Sequence, residues 1–362
     1  MRALGVISGT SMDAVDVACV ETDGEGRIVR GPGLARPYTE AERATIRAAT
    51  ADAMAALSMD YRSPLMVAAE AAITEAHGEA IAQFLAIHGA VDVIGWHGQT
   101  LAHAPQRRIT IQLGDAAALA ARFHTPVVAE LRRADVSAGG EGAPLVPVYH
   151  RALVRQAGLA EPALIINLGG VANVTYIDGE ILYAFDTGPA SALMDDAMAE
   201  VGKAYDAGGR LAATGTVDEA TLAALLAHPY FAAPLPKSLD RDAFAMHDLS
   251  ALALADRLAT LARFSAEALG LGVRLLPKPP ASVIAAGGGV HNETLMAGLA
   301  DVLGQPILTA DGAGFSSDFM EAEAFAYLAV RSLHGLPITF PGTTGIRTPL
   351  TGGKLFWPAK SS

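Results

Sequence analysis

Apolar residues alternate with polar or small ones from the first positions of the chain. Ala3–Ser8 is apolar, Gly9–Asp13 is a small polar turn, Ala14–Thr22 alternates again, and Asp23-Gly24-Glu25-Gly26 makes a second turn. The pattern predicts strand, turn, strand, turn, strand. Thr39 and Glu42 then have capping-box spacing and open a helix. Ser63-Pro64 starts a second helix, whose apolar positions Leu65, Ala69, Ala72, Ile73, Ala76, Ala80 and Leu85 keep a helical period up to Gly89. Strands are expected at Val91–Trp96, Ile109–Leu113 and Pro126–Leu131.

Near Ala163 the opening pattern returns. Leu164–Leu168, the turn Gly169-Gly170, Asn173–Ile177 and Ile181–Phe185 read as strand, turn, strand and a third strand. Hairpins with small-residue turns thus occur near residue 10 and near residue 170, an internal duplication of pattern rather than of identity. Ser282–Ala286 reads as a strand, Gly287-Gly288-Gly289 as a loop, and Asn292 as the start of a helix. Asp318 is placed to cap a last helix, Phe319 to His334, ending at Gly335. Strands with intervening helices argue an α/β protein, and the hairpins make its sheets mixed.

Composition narrows the function classes. The chain has 362 residues, 51% of them hydrophobic, and a formal net charge of −12. An acidic chain of this kind is not expected to bind nucleic acid, which selects cationic patches. No apolar run reaches membrane-spanning length, and the opening residues lack the apolar stretch of a secretory signal. Cysteine occurs once, at Cys19, which excludes an intramolecular disulfide and reads as a small buried hydrophobe. A cytoplasmic protein is expected.

The turns are where chemistry is expected. In Gly9-Thr10-Ser11-Met12-Asp13, small residues let the backbone approach a phosphate, and N–H groups and hydroxyls can donate to it. Asp13 or Asp16 could hold Mg²⁺ directly or through water. The same residues also favour an ordinary hairpin turn. Asn167, Gly169, Gly170 and Asn173 repeat the arrangement, and two such turns facing each other would clamp a polyphosphate. Gly287, Gly288 and Gly289 run from a strand into a helix N-terminus, which suits a nucleotide.

Asp186 ends an apolar strand in Phe185-Asp186-Thr187-Gly188-Pro189. It reads equally as a general base or as a helix N-cap. Gly95-Trp96-His97-Gly98-Gln99-Thr100 clusters hydrogen-bonding side chains that suit a sugar. Arg132 and Arg133 offer guanidinium groups to a carboxylate, or ordinary surface ion pairs. The ten histidines form no metal-binding spacing. No Walker A, Gly-x-Ser-x-Gly or His-Glu-x-x-His motif is present.

Taken together, these segments resemble the anhydro-N-acetylmuramic acid kinase family. The resemblance rests on Ser8-Gly9-Thr10-Ser11-Met12-Asp13-Ala14-Val15-Asp16, on His97-Gly98-Gln99-Thr100 with His103 and Pro105, and on Ala138–Leu145. Asn167–Thr175, Phe185–Pro189, Gly287–Asn292 and Glu321–Ala326 match in the same order, so it covers nearly the whole chain. It implies a two-lobed actin/hexokinase-like (ribonuclease H-like) fold with mixed sheets and an interdomain cleft. On that reading residues 1–125 with 337–362 form one lobe and residues 126–336 the other. It implies a kinase that uses ATP and Mg²⁺ to open the 1,6-anhydro bond of anhydro-N-acetylmuramic acid with water and to phosphorylate O6. The products would be N-acetylmuramate 6-phosphate and ADP, in peptidoglycan recycling.

By the same resemblance Asp186 is the general base, residues Gly9 to Asp16 meet ATP, and His97, Gln99, Thr100, Arg132 and Glu321 meet the sugar. The pattern departs from the family at Ala14, Glu130, Leu131, Glu141, Ala190-Ser191 and Leu239-Asp240. Ala190 is expected to place a methyl group near the reaction centre. A homodimer is compatible with this reading. A same-fold kinase for a different sugar or acid, or a non-catalytic nucleotide-binding sugar sensor, are the alternatives.

Overall fold

The computed structural model describes residues 1–358 apart from 242, 245, 246 and 248. The chain opens with β1 (Arg2–Ser8), β2 (Ala14–Thr22) and β3 (Ile28–Pro37), then α1 (Glu40–Ala56) and α2 (Pro64–His88). There follow β4 (Val93–Trp96), β5 (Gln99–Ala104), β6 (Ile109–Leu113), α3 (Ala116–Phe123), β7 (Val127–Ala129), α4 (Arg133–Ser137) and α5 (Pro147–Gln156). The next stretch holds β8 (Ala163–Leu168), β9 (Val171–Asp178), β10 (Ile181–Pro189), α6 (Ala192–Ala199), α7 (Glu219–Leu226), α8 (Leu254–Val273), β11 (Ser282–Ala286), α9 (Glu293–Leu303) and β12 (Leu308–Thr309). The chain ends with α10 (Met320–Leu333), α11 (Pro341–Thr344) and β13 (Lys354–Phe356).

Two compact units result: Met1–Gln156 with Phe319–Ser362, and Ala157–Asp318. The boundaries expected at 125/126 and 336/337 are therefore displaced. β7 pairs in parallel with β4, and α10 packs on β1, β2 and β4, so both belong to the first unit.

Each unit repeats one topology. The first sheet runs β13-β7-β4-β1-β2-β3 and the second β10-β9-β8-β11-β12. In each, an antiparallel three-stranded meander has its first strand beside a parallel strand, which carries a further parallel one. This is the ribonuclease H-like topology, and its duplication is the mark of the actin/hexokinase class. The duplication legible as two hairpins is thus a duplication of whole sheets.

Local signals explain the helix boundaries. Thr39 and Glu42 form both halves of the capping box, and Ser63 and Gly89 bracket α2. The buried stripe of α2 runs through Met66, Ala69, Ile73, Ala76, His77, Ala80, Ile81 and Phe84, while Leu65 is exposed. The last long helix, α10, differs from expectation at its start: its N-cap is Phe319, which makes no side-chain cap, rather than Asp318. Helices α3, α4 and α5 and strand β5 lacked a periodic run long enough to read from the sequence.

Close packing places α10. Gly5 and Gly95 are opposite each other in the register of β1 and β4. A Cβ on Gly5 would lie 1.7 Å from the carbonyl oxygen of Ala322, and one on Gly95 would lie 2.0 Å from that of Phe325. Only glycine at both positions lets the helix backbone rest on the sheet. That contact sets where the helix presents Glu321. Cys19 is buried in this unit's core, as its alternating neighbours suggested.

Candidate active site

In the second unit three polar side chains line up across the sheet. Asp186 on β10 is opposite Asn173 on β9, which is opposite Asn167 on β8. Directly opposed residues share one face, so the row presents a carboxylate and two amides together. Ala286 of β11 pairs with Asn167, so the Gly287–Gly289 segment begins where the row ends. Gly287 has φ of +85°, and a Cβ there would stand 2.6 Å from the Asn167 side-chain oxygen. Glycine at this position is required by backbone angle and by contact.

The sequence left Asp186 as base or N-cap. The structure removes the second option, because Asp186 lies inside β10 and α6 begins at Ala192 with Ser191 as N-cap. Backbone groups hold it. Its N–H donates to Lys237 O at 3.0 Å, and its carboxylate accepts the Leu239 N–H at 2.8 Å. Tyr230 donates its hydroxyl to the Asp186 carbonyl. Burial pushes the Asp186 carboxyl up to about 6, with the Leu239 N–H pulling the other way. A carboxylate poised near neutral pH suits proton abstraction. Tyr230 and Lys237 were not singled out from the sequence. Their only signal was that Lys237 lies two residues before Leu239-Asp240.

The Gly169-Gly170 turn is held from behind by backbone. The N–H groups of Ala190 and Ala192 donate to Gly170 O at 2.9 and 3.2 Å, and that of Ser191 donates to Gly169 O at 3.0 Å. Ala190 is buried in the second unit's core, with its N–H on the Gly169-Gly170 turn and its carbonyl accepting from Ser265 on α8. Leu239 bears on the base through its backbone N–H, which any residue but proline supplies.

In the first unit the β1–β2 turn carries Gly9, Thr10, Ser11 and Asp13 exposed. Met12 has a left-handed φ of 59° with a buried side chain, and its N–H donates to Gly9 O at 3.2 Å. Ala14, Val15 and Asp16 begin β2, where Asp16 pairs with Ile7. Gln99 was expected at the sugar. It is fully buried and both ends of its amide are engaged: Oε1 accepts from Ser8 Oγ, and Nε2 donates to Gly9 O at 3.2 Å. It stands behind the β1–β2 turn. Thr100 accepts from the Gln112 amide across the β5–β6 hairpin.

His97, Arg132 and Glu321 come from three segments of this unit. Arg132 Nε donates to His97 Nε2 at 2.9 Å, and its Nη1 to Gly142 O at 2.8 Å. Guanidinium only donates, so His97 is neutral with its proton on Nδ1, directed at Gly98 O at 2.9 Å. Burial and then the Arg132 charge hold the imidazole well below its usual range. Burial pushes Arg132 down to about 10, while Glu321 and Asp135 oppose that shift. Glu321 is exposed by surface area, yet the surrounding protein raises its carboxyl, Arg132 acting against the rise. His97 also lines a cavity of about 330 Å³ within this unit, beside Trp96, Gln112 and Glu130. Glu130 itself pairs with Arg133 at 2.8 Å, so Arg133 makes the surface ion pair.

Asp135 organises the glycine-rich segment, accepting from Gly142 N at 2.6 Å and Thr344 Oγ1 at 2.7 Å. The divergent Glu141 donates its N–H to Thr344 O, a bond its side chain does not decide. Among the described residues no three metal-ligating side chains cluster, and no helix is long and apolar enough to cross a membrane.

The sequence profile described as anhydro-N-acetylmuramic acid kinase matches residues 1–358. A protein named anhydro-N-acetylmuramic acid kinase from Rhodopseudomonas palustris is 50% identical over 365 residues, covering 99% of this chain and all of that one. One of the same name from Rhizorhabdus wittichii is 50% identical over 366 residues, covering 98% of each. A solved structure, component A of the (R)-2-hydroxyglutaryl-CoA dehydratase of Acidaminococcus fermentans, aligns over 92% of this chain and 99% of that chain, at 14% identity and TM-score 0.46. Matched along nearly its whole length, this chain belongs to the anhydro-N-acetylmuramic acid kinase family.

Proposed function

We propose that this protein is an ATP-dependent kinase that cleaves the 1,6-anhydro bond of anhydro-N-acetylmuramic acid with water and phosphorylates O6. Asp186 takes a proton from the water as its oxygen bonds to the anomeric carbon. The bond from that carbon to O6 breaks, O6 bonds to the γ-phosphorus, and ADP leaves with the electrons of the broken phosphoanhydride. The products are N-acetylmuramate 6-phosphate and ADP. The observation that carries this reading is the Asp186 carboxylate, half-buried, fixed by the Leu239 N–H and raised to about 6.

Gly9–Asp13 in the first unit, and Asn167–Asn173 and Gly287–Gly289 in the second, are the proposed nucleotide contacts. Mg²⁺ enters with ATP as part of the substrate. Such an ion keeps water and phosphate oxygens and needs one or two carboxylates, a demand Asp13 and Asp16 fit in number and kind. It neutralises charge on the transferring phosphoryl. His97, Arg132 and Glu321 are the proposed sugar contacts, with the Arg132 guanidinium suited to a sugar carboxylate. The cytoplasm is the proposed location, in keeping with ATP as substrate and a single buried thiol.

The test is turnover coupled to ADP release against a panel of sugars at equal concentration. Anhydro-N-acetylmuramic acid should be consumed fastest, with one oxygen from labelled water appearing at the anomeric carbon. Faster turnover of an ordinary hexose, or of N-acetylmuramic acid, would replace this reading with a kinase of different acceptor.

A further inference from the structure

Behind the β1–β2 turn lies a buried chain of polar side chains that the reaction does not itself require. Trp96 Nε1 donates to His77 Nδ1 at 2.7 Å. His77 Nε2 lies 2.8 Å from the Tyr38 hydroxyl and 3.2 Å from Ser8 Oγ. The Tyr38 hydroxyl donates to Ser8 Oγ at 3.1 Å, Ser8 donates to Gln99 Oε1, and Gln99 Nε2 donates to Gly9 O at 3.2 Å. His77, Ser8 and Gln99 are buried to 2% exposure or less, and Tyr38 to 3%.

The ends of this chain determine its direction. An indole N–H can only donate and a backbone carbonyl can only accept. His77 Nδ1 is therefore bare, and the single proton of the neutral ring sits on Nε2, facing Tyr38. Burial, with the nearby Arg36 charge, holds His77 down to about 3, so it is neutral throughout the physiological range. At the other end, the Gly9 carbonyl fixes the Gln99 amide with its NH₂ toward the turn and its oxygen toward Ser8. The donors from Trp96 to Gly9 then run one way, to His77 Nδ1, the Tyr38 hydroxyl, Ser8 Oγ, Gln99 Oε1 and the Gly9 carbonyl in turn.

The last bond has a consequence for the turn. Gly9 O accepts from Gln99 Nε2 and from Met12 N, which occupies both of its lone pairs inward. In a trans peptide the N–H of the next residue points opposite to the carbonyl. Pinning Gly9 O inward therefore aims the Thr10 N–H outward, at the exposed lip of the turn. The left-handed Met12, strained for a residue with a Cβ, is kept by the same anchoring and by its buried side chain.

We infer that His77, Tyr38, Ser8 and Gln99 are positioning residues that set the Gly9–Thr10 peptide of the β1–β2 turn for a nucleotide phosphate. This deepens the proposed function and rests on its reading of that turn as a phosphate site. None of the four needs to touch the ligand.

The test uses the full chain with Tyr38→Phe and, separately, Gln99→Met. The first removes one hydroxyl from the middle of the chain. The second keeps side-chain length and removes the donor to Gly9. Each should raise the KM for MgATP roughly 10–100-fold, the scale of an ångström-sized misplacement. The sugar KM should stay within about twofold. Ile46→Val, a core change outside the chain, serves as a control for loss of stability. Two variants are used so that the test survives the failure of one to fold. A rise in MgATP KM confined to the two variants supports the inference. Equal rises in both substrates' KM, or the same rise in Ile46→Val, overturns it in favour of a structural role. Wild-type protein that binds no MgATP removes the phosphate reading and this inference with it. Wild-type binding with unchanged affinity in both variants removes the inference alone.

Discussion

The β1–β2 turn and the β8–β9 turn join the first two strands of two copies of one topology, yet they are held in place by different means. Behind Gly169-Gly170 the donors are the backbone N–H groups of Ala190, Ser191 and Ala192. At Gly9 a side chain, Gln99, donates beside the turn's own Met12 N–H, and it ends a chain reaching through Ser8, Tyr38 and His77 to Trp96. The same contrast holds at a further candidate residue of each unit. Asp186 is fixed by the N–H of Leu239, whereas Arg132 and His97 fix each other by side chains. A backbone-held site tolerates substitution as long as the chain path is kept. A side-chain-held site tolerates little. At Ala190, Ser191 and Leu239 the bonds that reach the turn and the carboxylate come from backbone N–H groups.

The largest expected effect tests the carboxylate that the backbone holds. Asp186→Asn keeps shape and loses proton acceptance, so kcat should fall roughly 10²–10⁴-fold with MgATP affinity unchanged. In the wild type, kcat should rise with pH through about 6 as Asp186 ionises, and this limb should vanish from the residual activity of the variant. Stability runs the opposite way. Asp186 has a folded pKa raised above the ordinary carboxylate range, so the folded state binds the extra proton. Its ionisation therefore lowers stability as pH rises from about 4 to above 6. Asp186→Asn should melt above wild type at pH 8, and the difference should shrink by pH 4. A variant that keeps near-normal turnover would remove the base assignment.

A smaller effect probes the first unit's side-chain lattice. Arg132→Lys keeps the charge but loses the planar fork that reaches both His97 and Gly142. The sugar KM should rise on the order of tenfold, with the MgATP KM near wild type. Steady-state kinetics varying each substrate in turn separates the two. Equal changes in both would mean that the pair supports the unit rather than the sugar.

The smallest effect sharpens the contrast itself. Ser191→Ala leaves the N–H that donates to Gly169 O, and Ser191 makes no side-chain cap for α6. Both KM values should stay within about twofold, against the much larger change expected from Gln99→Met. A large loss in Ser191→Ala would show that the second turn also depends on side chains.

Much of this arrangement was legible from residue pattern. Alternation marked β1, β2, β8, β9 and β10, and Thr39 with Glu42, Ser63-Pro64 and Gly89 marked helix ends where the structure has them. These signals are local: strand alternation, caps and turn glycines act within a few residues. The ordered motifs identified the family for the same reason, since short segments carry their own chemistry. Harder to read were α3 to α5, which are short, and the cap of α10, which packing against Gly5 and Gly95 positions without a side-chain cap.

The role of a side chain proved less legible than its place. Gln99 looks like a ligand contact in sequence, since amides suit sugars. In the structure it is fully buried, with its amide bonded to Ser8 and to Gly9 O. His77 sits in phase with the apolar stripe of α2, a signal that it faces inward, but its partners at Tyr38, Ser8 and Trp96 lie 39, 69 and 19 residues away. Asp186 could cap a helix or take a proton until β10 was seen to continue past it to Pro189. The sequence by itself determined the duplicated hairpins, their small-residue turns and the candidate carboxylate, because those depend on local backbone preference and residue type. Only the tertiary structure decided which polar groups face outward and which support them, because hydrogen-bond direction and burial are set by neighbours distant along the chain.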